Sequence, residues 1–364
     1  MKITKLILQL FLVSILVTSC SDNEKIVEVL KDEYTKGIII SAEGNFGNKD
    51  GSISYVSNGL TESQNFIYAD KNSTLLGGLI QSITFTDTDA YIILNDVNTI
   101  VVADRYTFEK KGQITTDLKN PRYMTIVNGK GYVTNWGETQ WGDDIDDDYV
   151  TVINLNTLEV DSKIDVAIGP EQILNKNNKL YISHKGAYGS NNIVSVVDLN
   201  ANNSISTITV DDNPDEMVFD NAGNLIVLSE GNTTYDADFN VVDKTTSAIS
   251  FIDLSSNTIS KKLEFSSMES AAYMTYQNGK VYYYKGADSK VYTIDESATV
   301  LATEGIDVGG IYGMNVRDNN LFTVSYEFST TTTLSKFKVH DLNTKSEVYT
   351  SLVGIGASKI YFNN

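Results

Sequence analysis

Cysteine, histidine and proline are scarce in these 364 residues, at one, two and three positions respectively. One cysteine rules out a disulfide framework, and with two histidines it also rules out a Cys/His zinc site and a Cys–His catalytic pair drawn from separate clusters. Positive charge is short as well, with 28 Lys and Arg against 47 Asp and Glu and a net charge of −19. Such a field repels a phosphate backbone, so no nucleic-acid partner is expected. The repeats described below also lack a 3.6-residue apolar period, which argues against a helical solenoid. What remains is a chain with 41% hydrophobic and 21% charged residues, enough for a sizeable core, and with its aromatics weighted to tyrosine: 21 Tyr and 13 Phe against 2 Trp.

The first 19 residues read as a signal peptide. Lys2 and Lys5 provide a positive start, Leu6 to Leu16 an apolar stretch too short to span a bilayer, and Val17-Thr18-Ser19-Cys20 a small-residue cleavage site. That site ends in the only cysteine and resembles a bacterial lipobox, so Cys20 is expected to be the lipidated first residue of the mature protein. Ser21-Asp22-Asn23-Glu24 resembles the acidic export signal that sends lipoproteins of some Gram-negative bacteria to the outer face of the outer membrane; the alternative is a solvated charged tether. Residues 20–35 are expected to be lipidated Cys plus flexible tether, and residues 36–364 the globular part.

A repeat organises that globular part. Asp89-Ala-Tyr91-Ile-Ile-Leu94, Lys130-Gly-Tyr132-Val-Thr-Asn135, Lys179-Leu-Tyr181-Ile-Ser-His184, Asn224-Leu-Ile226-Val-Leu-Ser229, Lys280-Val-Tyr282-Tyr-Tyr-Lys285 and Asn320-Leu-Phe322-Thr-Val-Ser325 align without gaps. Each is followed by a second β-rich run that stops at Asp or Asn: Asp104, Asn154, Asp198, Asp253, Asp295 and Asp341. A short Asx side chain there can bond the backbone two residues on and close a turn. Pro121, Pro170 and Pro214 recur at nearly the same spacing, each at a strand entry where a missing N–H does least harm. Units of four short strands with a period in the forties predict an all-β propeller. Six anchored units leave residues 36–70, with strands at Gly37–Ile40, Gly51–Tyr55 and Phe66–Tyr68, and a C-terminal strand at Lys359–Phe362. Joining both ends in one blade closes the ring without an open edge and gives seven blades, the C-terminal strand completing the first; a hidden strand would make six or eight.

The Lys130–Asn135 block, with Pro121 before it and Val-x-Val-Ile-Asn154 after it, resembles the YVTN-type propeller repeat. The opening segment, with Glu43-Gly44-Asn45-Phe46-Gly47, resembles the first blade of a family of propeller lipoproteins on the surface of gut and related Gram-negative bacteria. The resemblance covers nearly all of residues 36–364. It implies a lipid-anchored, cell-surface outer-membrane protein that captures a small molecule and hands it to a TonB-dependent outer-membrane transporter. Cobalamin or a related corrinoid is the favoured ligand, bound as cargo and not as a catalytic cofactor.

In a four-stranded blade, the loop after the second strand and the loop entering the next blade share one face. Those loops hold the candidate ligand-binding residues Glu43, Asn45, Phe46, Arg122, Tyr123, Trp136, Trp141, Gln172, His184, Tyr188, Glu216, Tyr273, Lys285, Tyr312 and Tyr326. Tyr, Trp, Gln, Asn and Glu suit a flat amphipathic ligand with apolar edges and amides. Tyr123, Tyr273 and Tyr312 have packing between blades as their other reading. Asp143-Asp144-Ile-Asp146-Asp147-Asp148 lacks the glycine and final glutamate of an EF-hand loop, which favours a solvated acidic run over a calcium site. His340 reads as structural. No catalytic constellation and no metal set stand out. Other functions open at this level are a glycan- or protein-binding propeller, and a lactonase-like enzyme with a metal held by Glu43, Asn45 and Glu216.

Overall fold

The computed structural model describes residues 34–138, 146–266, 269–325 and 333–363. Within them lie seven four-stranded antiparallel sheets, one per blade, and one extra two-stranded hairpin. Blade 1 takes three strands from the N-terminal side (Gly37–Ala42, Ser52–Ser57 and Ser63–Gln64) and its innermost strand, Ala357–Asn363, from the C-terminal side. Gly37 pairs with Asn363 and Ile40 with Ile360, so the ring closes as the sequence implies. Among the described residues no helix is long and apolar enough to cross a membrane.

The inner strands of blades 2 to 7 are Ile80–Phe85, Pro121–Val127, Pro170–Lys176, Pro214–Phe219, Ala271–Gln277 and Gly313–Arg317. All three prolines open an inner strand. The second strands read as near-continuous apolar runs because both faces are buried between neighbouring blades. In blade 4, Leu180 and Ile182 join the cluster shared with blade 3, while Tyr181 between them joins the cluster shared with blade 5. One apolar cluster fills each of the seven seams between blades. At roughly 1.5–3 kcal/mol for each large aliphatic side chain removed from water, these seams supply the main drive for ring assembly.

Two local readings change. Phe66–Tyr68 is not a strand: the outer edge of blade 1 is Ser63–Gln64, and a short helix follows at Ile67–Asn72. Phe66 turns into the left-handed region at φ 60°, which lets Ile67 and Tyr68 drop into the seam between blades 1 and 2. The long interval after Ile226 is occupied by a hairpin, Thr233–Tyr235 with Val241–Lys244, inserted between the second and third strands of blade 5 and paired only with itself.

Candidate functional site

The register fixes which loops share a face. In blade 3, Pro121 starts the inner strand opposite Asn135, which ends the second strand opposite Tyr149, the start of the third, which in turn faces Asp165 at the end of the fourth. Loops after second strands and loops entering the next blade therefore lie together around one mouth of the central channel.

At that mouth the inner strands bulge. Between Pro121 and Met124, Arg122 and Tyr123 face only Thr134 on the neighbouring strand; Glu171 and Gln172 repeat this against Ser183, and Asp215 and Glu216 against Leu228. Blades 1, 2 and 6 each carry one extra residue at the same level, Ser358, Gln81 and Tyr273. Tyr273 takes a left-handed φ of 50° to do so. A bulge twists the strand and re-aims side chains, here toward the axis. Hydroxyls of the second strands hold the bulges in place. Thr134 Oγ1 accepts the Tyr123 N–H at 3.0 Å and donates to the Glu171 carbonyl at 2.7 Å; Ser183 Oγ does the same for Gln172 and Asp215, at 3.1 and 3.0 Å.

The channel below holds a cavity of about 400 Å³ to which every inner strand contributes, with Tyr123, Gln172, Glu216, Tyr273, Asn315 and Lys359 on its wall. A hollow of about 510 Å³ lies on the opposite face between blades 6 and 7, near Tyr282, Glu304 and Lys345. It lacks the convergence of buried charge seen at the axis, so the channel is the stronger candidate.

Among the described residues, five carboxyl groups and three cations meet around the channel end of the mouth. Arg122 forms a two-pronged pair with Glu171, Nε to Oε2 at 2.9 Å and Nη2 to Oε1 at 2.7 Å, while its guanidinium lies 3.8 Å from the centre of the Trp136 ring. Glu171 is 3% exposed, so this pair is desolvated and held by geometry. Lys185 bridges Asp215 at 2.6 Å and Glu230 at 2.9 Å. Gln172 Nε2 donates to Glu216 Oε2, and Lys359 Nζ stands 3.9 Å from Glu216 Oε1. Tyr312 Oη donates to Glu43 at 3.2 Å.

Burial sets the protonation pattern, and the neighbouring charges modify it. Burial and the adjacent Asp215 charge push Glu216 up to about 7 against the pull of Lys359. Burial likewise raises Glu43 and, with help from Asp215, Glu230. Burial acts on Asp215 in the same direction, but Lys185, Lys359 and Arg122 outweigh it and hold that carboxyl below its ordinary value. Lys359 is pushed the other way by burial, yet Tyr123, Glu216 and Asp215 keep its ammonium charged well beyond the usual range. Tyr273 rises to about 12 through burial.

Of the residues singled out from sequence, Glu43, Arg122, Tyr123, Gln172, Glu216, Tyr273 and Tyr312 gather at the mouth and channel. Trp136 stands beside them and meets half-exposed Tyr188 edge-on, ring centres 6.0 Å apart. Phe46 is on the same face, 92% exposed. Asn45 does not present its amide to a ligand: the amide and its backbone N–H both bond Asp50, at 2.9 and 2.6 Å, to shape the turn. His184 is corrected from ligand-facing to internal. It ends a second strand with no exposure, its Nδ1 lies 3.3 Å from the Ile168 carbonyl, and burial lowers its pKa to about 4. Lys285 is engaged by Glu269, by Asp288 at 3.0 Å and by the Tyr292 ring at 4.5 Å. Cys20, Trp141 and Tyr326 lie outside the described residues, as do positions 143–145 of the acidic run. Within that run, Asp147 accepts the Glu138 N–H at 3.1 Å and Asp148 the Gly169 N–H at 2.5 Å, so both serve loop backbone. Among the described residues no group of three or more His, Cys, Asp or Glu is arranged for a metal ion.

The ligand-binding candidates chosen from sequence leave out Glu171, Lys185, Asp215, Glu230 and Lys359. A signal existed for three of them. Glu171 and Asp215 follow their prolines just as Arg122 does, and Ala357-Ser358-Lys359 falls on the Pro-x-x position of the closing strand.

Solved structures match at the level of fold. A functionally unknown protein from Desulfotomaculum acetoxidans aligns with a TM-score of 0.64 at 13% identity, covering 90% of this chain and 99% of that one. Apo AztD from Citrobacter koseri aligns at 0.56 and 11%, covering 90% and 97%. Dihydro-heme d1 dehydrogenase NirN, in complex with DHE, aligns at 0.55 and 11%, covering 90% and 75%. No curated protein matches in sequence. The family model described as "Domain of unknown function (DUF5074)" matches residues 36–245, more than half of the sequence, and the chain is therefore a member of the DUF5074 family.

Proposed function

We propose that this protein is a surface lipoprotein that captures a small amphipathic molecule at the channel mouth, a corrinoid such as cobalamin being the favoured cargo, and delivers it to a TonB-dependent outer-membrane transporter. One observation carries the reading: bulges on successive inner strands turn Tyr123, Gln172, Glu216 and Tyr273 into one cavity, and Trp136 and Tyr188 stand at its rim. Rigid aromatic edges beside amide and carboxyl groups can contact both the apolar periphery and the amides of such a ligand at low entropic cost. Arg122 fixes Trp136 from below, and Glu171 fixes Arg122, so the aromatic wall is held before a ligand arrives. NirN, a protein of the same fold, is named for a dihydro-heme d1 substrate, in keeping with a propeller serving a flat macrocycle. Delivery, the lipid at Cys20 and the outer-membrane location belong to this proposal through the lipobox-like sequence and the family resemblance.

Calorimetric titration of the purified protein with cyanocobalamin tests it. One-to-one binding that Trp136→Ala weakens by at least about tenfold, or about 1.4 kcal/mol, is the expected result. No heat with folded wild-type protein contradicts it. Cys20→Ser is expected to leave the protein unlipidated and out of the membrane fraction, and its persistence there would contradict the anchor.

A further inference from the structure

We propose that the central channel is a binding site for a neutral group that sets a hydrogen-bond acceptor beside a donor, a primary carboxamide, held between the Lys359 ammonium and the Glu216 carboxyl. This deepens the capture reading and rests on it for which molecule carries the carboxamide.

The geometry points to a bridging group. Lys359 Nζ is 3.9 Å from Glu216 Oε1, longer than a hydrogen bond, while Gln172 occupies the other carboxyl oxygen. An ammonium with three donors, one of them engaged by the Tyr123 hydroxyl, thus faces the cavity across a gap from an acceptor. Both side chains line the same cavity of about 400 Å³, and Lys359 keeps 26% of its surface, although the inner strands surround it on all sides. A carboxamide, with its oxygen toward Lys359 and its N–H toward Glu216, spans that gap with two bonds of ordinary length.

Charge narrows the ligand further. Glu171 is paired with Arg122, and Asp215 and Glu230 with Lys185, so an entering group meets Lys359 and Glu216 together: a free carboxylate or phosphate that reaches Lys359 also sets its oxygens against the Glu216 carboxyl and has no hydrogen to donate to it. A free ammonium meets Lys359 at contact range. A neutral group avoids both costs and still satisfies the two partners. Tyr123, whose hydroxyl engages Lys359, and Tyr273 flank the site, and their ring faces suit a short apolar stem behind the amide.

The test is a two-dimensional NMR titration of the protein with propionamide, propionate, propylammonium and methyl glucoside in parallel. Propionamide is expected to perturb the amide signals of Gln172, Glu216 and Lys359, with the other three compounds at least about tenfold weaker. Lys359→Met is expected to abolish the response, and Lys359→Arg, which keeps a donor, to retain part of it; signals of the outer strands report whether each variant is folded. Silence toward propionamide, or an equal response to propionate or methyl glucoside, overturns the assignment. The two proposals separate cleanly. A propionamide response without cyanocobalamin binding keeps the channel site and removes the corrinoid, whereas cyanocobalamin binding that Lys359→Met leaves unchanged removes the channel site and keeps capture.

Discussion

The two faces of the ring come from the same seven repeats, yet they are built differently. On the face away from the mouth, the turns after the third strands are near copies: Asp104 accepts the N–H groups of Tyr106 and Thr107 at 3.0 Å each, Asp198 that of Asn200 at 2.9 Å, Asp253 that of Ser255 at 2.8 Å, and Asp341 those of Asn343 and Thr344 at 3.0 and 2.7 Å. One local rule, an Asx side chain closing its own turn, is used again and again. At the mouth the backbone position is equally constant among blades, but what occupies it is not: Arg-Tyr, Glu-Gln, Asp-Glu and Ser-Lys fill equivalent bulges. Repetition marks architecture here, and divergence at an irregular backbone position marks the candidate site.

Four experiments strain this contrast. The largest effect is expected from Glu171→Ala, which leaves the Arg122 guanidinium, mostly out of solvent, charged and without its partner. A loss of about 3–5 kcal/mol in denaturant unfolding is expected, while Lys130→Ala, which breaks the exposed Lys130–Asp161 pair at 2.9 Å, should leave the midpoint unchanged. Equal midpoints for the two variants would erase the distinction. Next is Trp136→Ala, expected to cost binding about tenfold with the fold intact. Mutation of a turn residue on the opposite face, such as Asp198→Ala, should not alter affinity.

The third concerns pH. Glu216 titrates near 7 when folded and near 4.5 when unfolded, so between those values the folded state holds the extra proton and this group's contribution to stability falls as pH rises through 7. A tenfold difference in proton affinity between the two states is worth about 1.4 kcal/mol. Glu43 and Glu230, also raised, act with the same sign, whereas His184, held near 4 when folded against 6.5 when unfolded, and His340, also lowered, act with the opposite sign up to about 6.5, and Asp215 acts only below 3.8. The change in stability from pH 5 to 7 should therefore be more positive in Glu216→Gln than in wild type, the histidine contribution being common to both; identical slopes would contradict the assignment. The smallest effect is expected from replacing residues 233–244 by a short Gly-Ser linker. This hairpin pairs only with itself, so the thermal midpoint should move by no more than a few degrees.

Most of the fold was legible because propeller strands advertise themselves. Buried on both faces, Tyr181 and its neighbours form an apolar block at a fixed place in each unit, and Pro121, Pro170 and Pro214 mark the same strand entry. Ring closure followed from counting strands at the two ends. The site was only half legible. Tyr123, Gln172 and Glu216 could be placed on one shared face, but a bulge leaves no composition signal, so their convergence with Lys359, some 140 residues on in sequence, came only with the structure. His184 misled for a related reason. It shares a loop with exposed Tyr188, and nothing local reveals that the strand end beneath that loop is sealed. Phe66–Tyr68 misled because three consecutive apolar residues suit a buried strand and a short packed helix equally well.

The most direct test of the claim that the bulged mouth is the binding surface is hydrogen–deuterium exchange with and without cyanocobalamin. The expected result is slowed exchange at residues 121–124, 170–173, 214–217 and 357–360, with the turns after Asp104, Asp198, Asp253 and Asp341 unchanged. Protection confined to those opposite turns or to the outer strands would contradict the account.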